Sequence, residues 1–298
     1  MRDDVPGDLK KRVLELELEV AEREKDLATY RSELARVNKR LEHLIGSLNK
    51  EIEMAHVIQQ RLVPTELPHI QGFEVSTKYS PSSVRGGDYY DLFEHQDPNR
   101  FSLILASSSG YAMSALLLSV LLKLTGQMEA RRGAEPSQVL SDMAEELLPS
   151  TQIGDQTDIF YGVVDRRTYD LKYSLAGELY IFHQDDSSGK ISVFEPTTEA
   201  LRSGNKLIMK TQVQRLNPRD RLILCSRGAV EAQNLDGESF GVDRLLRTIK
   251  ESPRNGVHKL RNEIHYQIEK HGSGKELQRD VTVLVLEVKD RIITLARK

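Results

Sequence analysis

Four short segments hold the charged and hydroxyl side chains of this 298-residue sequence that are best placed to do chemistry. They are Val84-Arg85-Gly86-Gly87-Asp88-Tyr89-Tyr90-Asp91, Ala106-Ser107-Ser108-Ser109-Gly110-Tyr111-Ala112-Met113-Ser114-Ala115, Ser226-Arg227-Gly228-Ala229-Val230-Glu231-Ala232-Gln233-Asn234 and Arg279-Asp280-Val281-Thr282. Aspartates suit hard divalent cations, which take carboxylate oxygens. Arginines suit bidentate pairing with carboxylate or phosphate. The other candidates read as structural. His258 and His265 lie seven apart on an expected helix, with no acidic or cysteine partner at zinc spacing. Cys225 sits in an apolar strand and is expected to be a buried thiol, not a nucleophile. Ser107-Ser108-Ser109-Gly110 lacks the Gly-Lys-Ser/Thr ending of a phosphate loop, and Gly272-Ser273-Gly274-Lys275 reads as a plain loop.

Composition narrows the class. Hydrophobic residues make up 39% and charged residues 29%, with net charge −3, so apolar runs for a core are present and no nucleic-acid footprint is. A single cysteine excludes an intrachain disulfide and fits a reducing compartment. No apolar run approaches the ~18 residues that a membrane helix needs. The start, Met1-Arg2-Asp3-Asp4-Val5-Pro6-Gly7, has no apolar signal core. These features predict a soluble cytoplasmic protein with no membrane contact.

The elements that position the four segments fall into two regions. Residues 8–62 carry a seven-residue repeat without proline: Val13, Val20, Leu27, Leu34, Leu41, Leu48 and Ala55 form one seam. Leu16, Tyr30, Val37, Leu44 and Ile58 form the second, interrupted by Arg23 and Glu51. This spacing predicts a coiled-coil helix roughly 80 Å long, paired as a parallel homodimer. Antiparallel pairing and a heterologous partner are the alternatives. Pro64 and Pro68 end the helix.

Residues 63–298 alternate short strands with blocks of helix, which predicts α+β layers and not a parallel βαβ sheet. Strands are expected at 73–79, 87–93, 100–106, 159–165, 171–176, 180–183, 191–194, 212–216, 221–226 and 281–288. Helices are expected at 112–130, from Pro136, near 242–250 and at 257–270.

In this order, the four segments resemble the SpoIIE/RsbU branch of the metal-dependent (PPM) serine/threonine phosphatases. The family patterns are V-G-G-D-Y-Y-D, D-V-S-G-K-G-x-x-A, T-D-G-x-x-E-A-x-N and D-D-x-T. The resemblance covers about residues 55 to 290. It implies a β-sandwich flanked by helices. It also implies a pair of Mn²⁺ or Mg²⁺ ions about 4 Å apart that generates hydroxide and clamps the phosphoryl oxygens. The usual partners in this branch are small STAS-domain proteins carrying phosphoserine.

This sequence departs from the family at the metal positions. Ser107, Arg227 and Arg279 stand where the resemblance places aspartates, so three negative charges become one hydroxyl and two cations. Asp88 keeps its place and Asp280 adjoins a lost one. Glu178 stands for the histidine of an A-G-H element, and Asp158 for a threonine. The expectation is a pseudophosphatase without enzymatic activity or cofactor. In it Arg227 and Arg279 fill the former metal cavity and pair with Asp88 and Asp280, and the domain binds a STAS-type or other signalling protein. The rivals are an active phosphatase with a rearranged site around Asp88, Asp91, Asp158 and Asp280, and a scaffold that works mainly through its coil.

Overall fold

The structure is a computed structural model describing residues 7–62, 64, 66–82, 87–109, 120–128, 133–148, 155–203, 207–254 and 256–289. Val84, Arg85, Gly86 and residues 110–115 of the first two motif segments, and residues 116–119 of the helix expected at 112–130, lie outside the described residues. The chain divides into two compact units, Met1–Met54 and Ala55–Lys298.

The first unit is helical. Helix α1 runs without a break over Gly7–Leu62 and extends into the second unit. Exposed ion pairs one turn apart, Arg12–Glu15 at 3.1 Å and Arg23–Glu19 at 2.6 Å, support it modestly. Val13, Val20, Leu27, Leu34, Leu41 and Leu48 all stand exposed on the single chain, Leu34 at 62%. A row of large aliphatic side chains left in water is unusual for a helix and calls for cover.

The second unit stacks four layers. In chain order its elements are β1 (Phe73–Ser80), β2 (Asp88–Glu94), β3 (Arg100–Ser108), a helix α2 described over 120–128, α3 (Pro136–Leu147), β4 (Gln156–Asp165), β5 (Asp170–Ala176), β6 (Tyr180–Gln184), β7 (Ile191–Val193), β8 (Leu201–Arg202), β9 (Gln212–Arg215), β10 (Arg221–Cys225), α4 (Arg227–Glu231), α5 (Gly241–Glu251), α6 (Val257–Gly272) and β11 (Val281–Val288). One antiparallel sheet has the order β1-β11-β10-β6-β7. The other has β2-β3-β4-β5-β9, with β8 pairing the start of β4.

Alternation of side chains explains the layers. On β11, Leu284 and Leu286 point between the sheets, where they meet Phe101, Phe160 and Leu222. Val283 and Val285 point the other way into a core with Leu245, Leu260 and Ile264 of α5 and α6. Both faces are covered, so the strand reads as a continuous apolar run. On β3 and β4, Ile104 and Tyr161 face Leu122, Leu140 and Met143 of α2 and α3. The α+β sandwich expected from the resemblance is the fold observed.

Helix α4 is short but tightly fixed. A Cβ on Gly228 would lie 2.1 Å from the backbone oxygen of Asp280, so glycine is what lets α4 lie against the start of β11. Replacing Gly228 with alanine forces those segments apart. It should cost about 1–3 kcal/mol, in the range of overpacked sites. Urea unfolding of Gly228→Ala reads this directly, and an unchanged midpoint would contradict the close approach.

Candidate functional site

One row of the β2-β3-β4 ladder sets the site. Asp88 pairs with Ser107, and Ser107 with Asp158, so the three side chains share one face at the end of the sheet. Gly177 completes the row. A Cβ there would fall 2.1 Å from Asp158 Oδ1, and the positive φ of +78° is one that glycine accepts without steric clash. The space lets the Glu178 N–H donate to Asp158 Oδ1 at 3.0 Å.

The other sheet meets this row through β11. Asp88 Oδ1 accepts from Ser107 Oγ at 2.7 Å and Oδ2 from Thr282 Oγ1 at 2.8 Å. Asp280 Oδ1 accepts from the Ser82 N–H at 2.7 Å. Its Oδ2 accepts from the N–H groups of Gly87 and Asp88 and from the Tyr79 hydroxyl, at 2.9, 3.2 and 3.0 Å. Ser226 joins the two ends: its N–H donates to the Thr282 carbonyl, and its Oγ accepts from the Thr282 N–H.

Burial governs the protonation of these acids. Asp88 is pushed up to about 7, by loss of water first and by the nearby Asp280 charge second, against the pull of the Ser107, Ser226 and Thr282 hydroxyls. Asp280 is raised by burial, with its backbone donors opposing. Asp158 is also raised by burial, opposed by the Glu178 N–H and by Arg227.

The two arginines pair differently from the expectation. Arg227 Nε donates to Glu231 Oε1, while its other nitrogens lie 3.7 Å from Asp158 and 3.4 Å from Glu178. Arg279 Nε lies 2.7 Å from Glu231 Oε2. Among the described residues, Asp88 and Asp280 are satisfied instead by hydroxyls and backbone N–H groups. Glu231 lies in the third motif segment, but the sequence reading did not pair it with the two arginines. Its spacing of four from Arg227, one helical turn, was the available signal. A cavity of about 580 Å³ opens beside this cluster, lined among others by Gln156, Asp158, Glu178, Glu199, Arg202 and Arg227.

The other candidates separate. Asp91 accepts from the Tyr89 hydroxyl and its own Leu92 N–H. His258 bonds Ser76 at 2.8 Å and His265 bonds Ser80 at 2.7 Å, each tying α6 to β1. Cys225 is buried, and burial pushes its thiol up to about 12, which suits a structural role.

The implied metal pair can be tested against these donors. Both oxygens of Asp88 and of Asp280 already accept hydrogen bonds from the protein, and two guanidiniums lie in the neighbouring cluster. No group of three or more His, Cys, Asp or Glu side chains is placed to hold a metal among the described residues. The residues present do not fit the family's two-metal centre in this arrangement.

Residues 97–289, well over half of the chain, match the family described as Stage II sporulation protein E (SpoIIE). The chain belongs to the SpoIIE family. Its sequence is 23% identical over 190 residues to the phosphoserine phosphatase RsbU of Bacillus subtilis, a match covering 64% of this chain and 56% of that one. It is 22% identical over 228 residues to the protein IcfG of Synechocystis, covering 67% of this chain and 35% of that one. The chain thus spans about half, or less, of the length of these curated relatives.

Its fold is similar to the SiaA-PP2C domain of Pseudomonas aeruginosa, with TM-score 0.66 and 16% identity over 81% of this chain and 97% of that one. It is also similar to the RsbU and RsbW domains of Rv1364c from Mycobacterium tuberculosis, with TM-score 0.59 and 18% identity over 76% and 63%.

These relatives correct one expectation. The loss of three aspartates led to the expectation of a chain that is not an enzyme. The chain belongs to the SpoIIE family and one curated relative is named a phosphoserine phosphatase, so the chain carries a phosphatase domain of the PPM family, and its fold agrees with that of a PP2C domain. Substitution at metal positions does not by itself establish loss of catalysis.

The raised Asp88 has a consequence for stability. Its ordinary value is 3.8 and its folded value about 7, so between those pH values the folded chain holds the extra proton. Stability therefore falls as pH rises through that window. Asp88→Asn keeps the shape without the charge and should flatten the decline, leaving the variant more stable than the parent at pH 7.5. Urea midpoints at pH 4.5 and 7.5 check this; a variant equally steep, or weaker at pH 7.5, contradicts it.

Proposed function

We propose that this chain is a SpoIIE-family signalling protein whose α/β domain engages a phosphoserine-bearing regulatory protein, of STAS type, and whose α1 helix pairs two copies in parallel. The observation that carries the first part is the cavity of about 580 Å³ at the sheet end, bordered by Arg227. It adjoins the residues that match the family's motif positions. The name of RsbU, a phosphoserine phosphatase, supports phosphoserine as the group presented there.

The exposed seam of α1 supports the second part. In a parallel pair, Arg12 would face Glu17 of the other copy and Asp26 would face Arg31, two attractive pairs against the one like-charge pair of Glu19 with Glu24 between them. In this reading residues 8–62 form the pairing region and 63–298 the partner-binding domain.

Two measurements test the proposal. Size-exclusion chromatography with light scattering should report a dimer for the parent and a monomer for Leu34→Glu/Leu41→Glu; a double variant that stays dimeric defeats pairing through this seam. A phosphorylated STAS protein should either co-elute with the chain or release phosphate in the presence of Mn²⁺. If it does neither at micromolar concentrations, partner engagement is wrong.

A further inference from the structure

Glu231 is held on both sides. Its Oε1 accepts from Arg227 Nε and its Oε2 lies 2.7 Å from Arg279 Nε, so one carboxylate fills a cradle formed by two guanidiniums. The Arg227 and Arg279 side chains are only 20% and 18% exposed, whereas that of Glu231 is 36% exposed. Arg227 is held by Asp158 and Glu178 besides Glu231, and the anion between the two guanidiniums has a way out to water. Arg227 also borders the cavity of about 580 Å³, which gives a ligand a way in.

A phosphate monoester presents the same pair of oxygens as a carboxylate and carries close to twice its charge near neutral pH. We infer that the Arg227–Arg279 cradle is a binding site for a phosphate monoester dianion, and that Glu231 is an internal competitor that fills it when no ligand is present. The inference rests on the reading that the partner carries phosphoserine. Asp158 and Glu178, 3.7 and 3.4 Å from Arg227, add negative charge beside the cradle. They share the charge of Arg227 and repel any entering anion, so a ligand has to gain more from the two guanidiniums than Glu231 gives up, which the second charge of a phosphate monoester supplies. Exchange of Glu231 for phosphate breaks no covalent bond: one anion leaves the guanidiniums for solvent as another arrives.

The test uses the full chain in buffer containing EDTA, with calorimetric titration of N-acetyl-O-phosphoserine amide, N-acetylserine amide and inorganic phosphate. The two phosphorylated probes should bind and the serine probe should not. Glu231→Gln removes the competing charge and should tighten phosphoserine binding roughly tenfold. Arg279→Gln should weaken it by a similar factor or more, as expected for a lost charged hydrogen bond. Circular dichroism confirms that each variant is folded, and if Arg279→Gln is not, Glu231→Gln decides alone.

Unchanged affinity in Glu231→Gln, or in a folded Arg279→Gln, overturns the cradle. If the STAS partner binds equally with and without its phosphoryl group while the small probes do not bind, the cradle is wrong and partner engagement stands. If the probes bind as expected and the partner does not, the cradle stands and the partner assignment fails.

Discussion

Five carboxylates, those of Asp88, Asp158, Glu178, Glu231 and Asp280, gather at one end of the two sheets, and the buried ones must each be matched by a donor. Loss of water disfavours their charge, and only hydrogen bonds or cations restore it. The fold meets the demand in two ways. Hydroxyls from β1, β3 and β11 and the backbone N–H groups of Ser82, Gly87 and Asp88 serve Asp88 and Asp280. Guanidiniums from α4 and from the residue before Asp280 serve Glu231, Asp158 and Glu178. The first arrangement ties one sheet to the other through Thr282 and Asp88; the second ties α4 to the rim.

The division follows from reach. Ser107 is in register with Asp88 across β2 and β3, and Thr282 reaches it from β11 of the other sheet; both side chains are short, so their hydroxyls arrive with little freedom to lose. Arginine has a long stem and a planar fork and can span from α4 to the β4 and β5 ends at once. It leaves the buried pair to the short donors and collects the partly exposed acids. A guanidinium driven further in would have to displace bonds that cost nothing to keep. This is why the arginines settle on Glu231 and not on Asp88, although all these groups lie at the same end of the sandwich.

Much of this architecture is legible in the residues. The unbroken apolar run of β11 announced a strand covered on both faces, and the seven-residue repeat announced α1. The four motif segments marked the sheet end correctly, because strand termini that carry Asp88, Ser107 and Asp280 need little besides local register to converge. The partnering of Arg227 was not legible in the same way. Helix α4 has five residues, too few to show an apolar period, so the segment gave no helical turn by which to pair the motif residue Glu231 with Arg227. Reading Arg227 and Arg279 by the charge they replace led to Asp88 and Asp280. Which acid still lacks a donor is settled only once the backbone N–H groups of Gly87 and Asp88 are seen to point at Asp280.

The same reasoning separates a change of residues from a change of role. With serine and arginine at these positions the sheet end balances different charges, and it has a register row, a cavity beside it and close glycine contacts at Gly177 and Gly228. These features cost conformational freedom to maintain, Gly177 at a positive φ and Gly228 against a carbonyl oxygen. A protein that needed only a filled sandwich end could close it with apolar side chains at less expense, since buried ion pairs add little net stability over a well-packed apolar replacement. Polar groups held in this way favour a particular geometry over maximum stability. The cluster at Glu231, partly open to water and beside a cavity bordered by Arg227, is the part of this end where the charges remain within reach of solvent.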